Sequence, residues 1–410
     1  MPLIRPASGA QRVFVASAAA FLLVAAFPSS AGWRVFFLVV ALASLSLQAA
    51  KGDQALELGR IPRPFALAAI AWAALAMASL AWSVDPGYTQ QELRREIAYG
   101  SLSFLVFFIG TRAAAQLHLW MKMLALATIV LGIGEWLHLL HPEVEMFDKA
   151  SMGPGPFSTH VVMIAPLLLL ALWPAPVGMG RSLRLTLTLG AFLVVAGMSG
   201  ESRILWPALL AAALVAFIAF SLQAGPAHPG RIAAKRALVV TIVLLPVLMV
   251  ISAEYKLRYY PQAASTMESF ALDARPLIWR TAVREAAEHP WLGHGYGREI
   301  VAPKLRAELA KAGELTPYNH GHNVFLDAVL ELGALGLAAF VFLVGALAWA
   351  FAQAGKREGG APLAIAGLAV FTGYLVKNLT DDFFFRPNSL VFWAIAGMLM
   401  GLAARLPAKS

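Results

Sequence analysis

His320-Gly321-His322-Asn323-Val324-Phe325-Leu326, with Glu331-Leu332-Gly333 close behind, decides how this chain is read. It marks the point where a long polar segment runs into an apolar stretch, Leu332–Phe351, long enough to cross a bilayer core as a helix. Two histidines and an asparagine at such an edge point to polar chemistry there, because buried polar groups must be paired or they cost several kcal/mol.

That edge belongs to a chain of 410 residues that is 59% hydrophobic and 13% charged, with a mean hydropathy of +0.69. No ordinary soluble domain is built this way. Apolar runs of about 13 to 20 residues recur at 13–27, 35–49, 65–82, 97–109, 117–136, 157–173, 185–198, 204–222, 237–252, 332–351, 363–376 and 390–404. They predict an all-α polytopic membrane protein with about 12 transmembrane helices. The first run lacks an Ala-x-Ala cleavage site and leads straight into the second, so it is expected to be a retained helix. The sequence holds no P-loop and no convincing internal repeat, and without cysteine it has no disulfides or thiolate chemistry.

Lysine and arginine set the expected orientation. With a cytoplasmic N-terminus, the cytoplasmic segments carry pairs and triplets such as Lys51, Arg60 and Arg63, then Arg231, Lys235 and Arg236, and Arg405 with Lys409. Acidic groups such as Glu143, Glu145, Asp381 and Asp382 fall on the other side, with Arg34, Arg94 and Arg95 as exceptions. Positive-inside topology then puts both termini in the cytoplasm. The net charge of +9 is topology, so no nucleic-acid partner is expected, only membrane lipids.

The chain divides into nine helices over 1–253, one large, partly helical outer loop over 254–322, and three helices over 323–410. Outer segments of this length are usually functional. Pro276–His289 reads as a helix and Arg298–Ala312 as an amphipathic one lying on the membrane or the bundle. Between them Gly293-His294-Gly295-Tyr296-Gly297 reads as a tight turn, since no strand precedes it as in a phosphate loop.

Polar groups collect at that outer face: Arg203 after Ser202, then Arg275, Arg280 and Arg284, then His320, His322 and Asn323, and His160 at another span mouth. Guanidinium is always charged and its planar fork matches phosphate oxygens, so clustered arginines suit an anionic lipid-linked substrate. Histidine is the side chain suited to taking a proton near neutral pH. Each has a plainer reading. Arg203 is also what a snorkelling interfacial residue looks like. Arg284 stands four residues from both Arg280 and Glu288, as in a solvated helix face. His160, His289 and His294 fit interfacial or turn positions. His320 and His322 have no carboxylate within the same turn, which argues against a metal. Asp381-Asp382 reads as a divalent-cation pair or, with more weight, as surface capping of the last loop.

His322-Asn323-x-x-Leu326, followed by Glu331-Leu332-Gly333-x-x-Gly336-Leu337, resembles the signature of the O-antigen ligase and polymerase superfamily. Arg275-x-x-x-Trp279, His289-Pro290-Trp291-Leu292-Gly293-x-Gly295-x-Gly297, Ser202-Arg203 and Phe392-Trp393 resemble further motifs of that group, from about Gly153 onward. The resemblance implies a GT-C-like membrane glycosyltransferase of a Gram-negative inner membrane with a periplasmic site. The donor is a glycan on undecaprenyl pyrophosphate. In the ligases the acceptor is a sugar of the lipid A core oligosaccharide, and the reaction uses no metal, nucleotide or other cofactor. It further implies His322 as the base, Arg203 with Arg275 or Arg280 on the pyrophosphate, and His320 or Asn323 holding the His322 ring. Arg284 and His160 remain as substrate-binding positions. One base and one activated leaving group point to single displacement with inversion, without the carboxylate pair of glycosidases. The single long loop favours ligase over polymerase. A transporter of lipid-linked glycans would instead place charges along mid-span, and Lys377 is the main residue that fits it.

Overall fold

A computed structural model describes residues 8–52, 55–141, 143–146, 151–172, 183–199, 202–224, 230–256, 274–311, 313 and 318–409. Among them there is no strand, and every apolar run named above falls on a helix. The chain is an all-α membrane protein: among the described residues six helices are long and apolar enough to span a bilayer by length and composition, and four shorter ones are apolar. Part of the outer loop, 257–273, 312 and 314–317, lies outside the described residues, as do Gly200 and Glu201 before Arg203.

In chain order the helices are α1 (Gly9–Val24), α2 (Ala31–Ala50), α3 (Arg63–Ala78), α4 (Pro86–Glu92), α5 (Tyr99–Gly110), α6 (Ala114–Leu140), α7 (Pro154–Ile164), α8 (Leu168–Leu172), α9 (Leu183–Ser199), α10 (Leu205–Ala224), α11 (Gly230–Lys256), α12 (Arg275–Glu288), α13 (Ala302–Lys311), α14 (Val324–Ala354), α15 (Ala361–Lys377) and α16 (Arg386–Ala403). A wider turn, Leu93–Ala98, joins α4 to α5.

Packing in lipid depends on close approach more than on a hydrophobic drive, so small residues mark helix contacts. Helices α5 and α16 touch most extensively. Gly397 and Gly401, one small residue per turn, bring α16 against the backbone of α5: a Cβ on either would meet the Phe104 or Phe108 carbonyl oxygen at 2.4 Å. Ser103 Oγ donates to the Leu390 carbonyl across the same seam. Helix α10 lies against α15, and α3 against α14. At the foot of α16, Arg405 reaches Glu57 at 3.0 Å, with Arg60 and Arg112 on the same carboxylate. Three basic residues read as cytoplasmic thus gather at one end of the bundle. The outer-loop helices lie at the other.

Two sequence expectations change. The amphipathic helix begins at Ala302, so Arg298 is outside it, in a turn. Helix α14 starts at Val324, eight residues before the apolar run, and breaks at Gly333 (φ 65°, ψ −159°).

Candidate active site

The loop 378–385 between α15 and α16 is the hub of the loop end. The Asn378 carbonyl accepts from Val324 N at 3.0 Å. Asn323 caps α14: its Oδ1 accepts from Phe325 N and Leu326 N, and its Nδ2 donates to the Leu379 carbonyl. Four otherwise orphaned N–H groups open every helix, and Asn is among the residues that satisfy them. The amide of Asn323 is therefore engaged in building the loop. Asp327, one turn into α14 and 1% exposed, accepts from Gly321 N at 2.6 Å. Held from both sides, His322 takes a left-handed backbone (φ 50°), uncommon for a residue with a Cβ.

His320 and His322 stack with ring centroids 3.9 Å apart. Asp381 comes to them from the hub loop. Its Oδ1 lies 2.8 Å from His320 Nε2 and 3.4 Å from His322 Nδ1. Arg298 closes the group, with Nη2 3.0 Å from Asp381 Oδ1 and 2.5 Å from His320 Nε2, and its guanidinium over the Phe385 ring at 4.8 Å. Burial pushes His320 down to about 3, so its ring is neutral at physiological pH. Burial alone would raise Asp381, but the hydrogen bond of His320 and the nearby His322 ring outweigh it and hold the carboxylate well below its usual range. Asp381 is ionised and faces two imidazoles. The carboxylate that the local sequence lacked beside His-x-His is supplied by the fold. Asp381 and Asp382 do cap the loop, accepting from Asp382 N and Phe384 N, but Asp382 does so from a buried position, 6% exposed, and not at the surface.

The arginines sort themselves. Arg275 Nε donates to the Thr380 carbonyl at 2.9 Å, next to Asp381. Arg203 lies half-buried in the turn before α10, beside Ser202, whose hydroxyl receives Lys377 Nζ at 2.6 Å. Lys377 thus joins α15 to this turn and stands over the Phe383 ring. Arg280 and Arg284 are exposed on α12. His160 is buried in α7, where it bonds Thr128 at 2.9 Å.

Arg298 is placed by the glycine turn, which docks into the break of α14. His294 N and Gly295 N donate to the Leu330 and Glu331 carbonyls, and Ala334 N and Leu335 N donate to the Pro290 and Trp291 carbonyls. These four bonds take over backbone groups that the interrupted helix cannot pair itself, as membrane-depth backbone requires. Gly293 and Gly333 permit the approach, since a Cβ on either would sit within 2.4 Å of the other strand of chain. The turn expected from sequence is present, and its glycines serve contact with α14.

A cavity of about 350 Å³ opens beside this cluster. Its floor is apolar, with Phe65, Phe104, Leu343 and Trp393 from α3, α5, α14 and α16. Its upper end carries Arg298, Asp327, Glu331, Asp382, Glu92 and Glu96. The groove is amphipathic along its length, matching a ligand with a lipid tail and a polar head.

Fold and site define a polytopic membrane protein with an imidazole–carboxylate–guanidinium cluster at the head of an apolar groove. Residues 188–341 match the family model described as O-antigen ligase. A curated relative, the O-antigen ligase of Pseudomonas aeruginosa, is 26% identical over 348 residues, covering 83% of this chain and 77% of that protein. Both findings support the O-antigen ligase family for this chain. The matched stretch runs from α9 into α14 and contains Arg203, Arg275, Arg298 and both site histidines.

Arg298 and Asp327 were not singled out by sequence, and Asp381 was read there as a cation ligand or a loop cap. An acidic residue inside a spanning helix is functional by default, and that signal pointed to Asp327. Arg298 and Asp381 join only in three dimensions, 83 residues apart in the chain.

Proposed function

We propose that this protein is a glycosyltransferase that moves O-antigen polysaccharide from undecaprenyl pyrophosphate to a lipid A core sugar, at the periplasmic face of a Gram-negative inner membrane crossed about 12 times. The observation that carries this reading is His322 beside an ionised Asp381, with Arg298 and Arg275 around it, at the head of an amphipathic groove. The family match and the named relative point the same way.

Asp381 behind Nδ1 of His322 favours the tautomer with Nε2 unprotonated, which makes Nε2 the base. It takes the proton of the acceptor hydroxyl as that oxygen bonds to the anomeric carbon. The bond from that carbon to the pyrophosphate oxygen breaks, and its electron pair leaves with pyrophosphate. A single displacement of this kind inverts the anomeric centre. Arg203, Arg275 and Arg298 supply preorganised positive charge for the leaving group. A guanidinium already fills the His320–His322–Asp381 cluster, so the chemistry needs no metal there. The exposed Arg280 and Arg284 are left to the solvated face. The apolar floor between α3, α5, α14 and α16 takes the polyprenyl chain.

The test is transfer of a lipid-linked glycan to lipid A core in proteoliposomes, with wild type and His322→Ala compared. Transfer that disappears in the variant supports the reading. Lengthening of the lipid-linked glycan with lipid A core ignored makes the protein a polymerase. No transfer of either kind returns it to the transporter class.

A further inference from the structure

Glu288 and His289 close α12, and His294 sits in the glycine turn; a donor atom of each lies within 4.8 Å of those of the other two. The two imidazole rings meet edge to face, with centroids 4.7 Å apart. His294 is 1% exposed, and its Nδ1 faces the Leu330 carbonyl at 3.1 Å. A carbonyl only accepts, so Nδ1 carries the proton and Nε2 carries the lone pair. That buried Nε2 has no hydrogen-bond partner among the described residues. Leaving such an acceptor unsatisfied is costly, and a ligand removes the cost. A backbone carbonyl behind the far ring nitrogen is also the support that metal-ligating histidines characteristically have.

Glu288 and His289 are exposed, so an ion and a completing water can enter from solvent. Lys304 bonds Glu288 Oε2 at 2.6 Å and pairs with Glu285 at 3.7 Å. It makes no hydrogen bond to either ring among the described residues. The other imidazole–carboxylate trio differs here, because Arg298 stands between its ligands.

We propose that Glu288, His289 and His294 form a zinc site, with one water as the fourth ligand. Two imidazoles and a carboxylate whose donor atoms lie within 4.8 Å of one another are a donor set suited to Zn²⁺. The ion staples the end of α12 to the turn that fills the break of α14. It holds in place the segment that carries Arg298, at a distance from the reacting groups.

The experiment is calorimetric titration of Zn²⁺ alone into the purified full-length protein in detergent, with visible absorption of Co²⁺ reporting coordination geometry. Wild type binds one ion per chain with a tetrahedral Co²⁺ spectrum. His289→Ala, at an exposed position that leaves the fold intact, weakens binding at least about 10- to 100-fold, since even the groups behind ligands are worth that much. Glu288→Gln weakens it in the same direction, and His320→Ala leaves it unchanged. Absence of stoichiometric binding by wild type overturns the proposal. So does binding that survives His289→Ala, or binding abolished by His320→Ala, which assigns the ion to the His320 cluster.

Discussion

Replacing Gly333 by alanine tests the docking of the glycine turn into α14. Residue 333 has φ 65° and ψ −159°, a region that is essentially glycine-only, so a side chain there costs about 1–3 kcal/mol in backbone strain. The new Cβ lands 2.3 Å from the Trp291 carbonyl carbon and 2.4 Å from its oxygen. Both are backbone atoms, so the turn itself must retreat. Retreat weakens the bonds from Ala334 N to Pro290 O and from Leu335 N to Trp291 O, at about 1 kcal/mol each. The total is about 4 kcal/mol. Gly345, three turns further along the same helix, is the control. It is exposed, and nothing lies within 4 Å of a Cβ built there, so Gly345→Ala gains about 1 kcal/mol of helix propensity. Reversible unfolding in mixed micelles reads both. The same chemical change, twelve residues apart, is expected to carry opposite signs. If Gly333→Ala unfolds no more easily than Gly345→Ala, the break is not filled by the turn and the account of Arg298's placement fails with it.

Arg298→Lys keeps the charge but loses the flat guanidinium that lies over Phe385 and sets Nη2 between Asp381 and His320, so transfer falls by about tenfold or more. Arg280→Ala and Arg284→Ala, on the exposed face of α12, change it by less than about threefold in the same assay. Asp381→Asn leaves His322 without the charge behind its ring, and kcat falls by about 100-fold, the scale of a general-base contribution, while KM moves little. Folding stability falls with acid. His320 titrates at about 3 in the fold and at about 6.5 unfolded, so across that window the unfolded chain binds more protons and stability rises with pH. Asp381, held low in the fold, adds a loss of the same sign below about pH 4. Denaturation midpoints between pH 4 and 7 measure this slope, and His320→Asn is expected to flatten it.

The helices were legible in the sequence because each spanning segment must satisfy its backbone internally and show an apolar surface, which leaves long runs no other fold produces. The same constraint hid the break in α14. Nothing in an apolar run announces that Gly333 takes a non-helical conformation, because the signal lies in the distant segment that docks against it. Read separately, His289-Pro290-Trp291-Leu292-Gly293 looks like a turn and Glu331-Leu332-Gly333 like the start of a span. In the fold they are one structure, held by four backbone hydrogen bonds and two glycines facing each other's backbone. Spacing along the chain does not show a pairing that spans forty residues.

The site divides along the same line. His320 and His322 stood out because histidine is rare at an apolar edge, and the fold brings them together as stacked rings. The arginines were ambiguous because a guanidinium at a helix end looks the same whether it meets solvent or substrate. Here the deciding fact is which face of α12 points inward. Ile278, Thr281, Ala282 and Glu285 fill that face, which turns Arg280 and Arg284 outward and leaves Arg275 at the helix start beside Thr380. Arg298 was misread for a related reason. Its segment is amphipathic enough to continue as helix, but Gly297 (φ 135°) lies against Tyr88 and Glu92, and the chain stays in a turn there. That turn aims a guanidinium at Asp381 and the His320 ring. Built as a helix from Arg298, the same residue would follow the axis of α13 away from the cluster. The conformation of one glycine therefore decides whether the cluster contains its own cation.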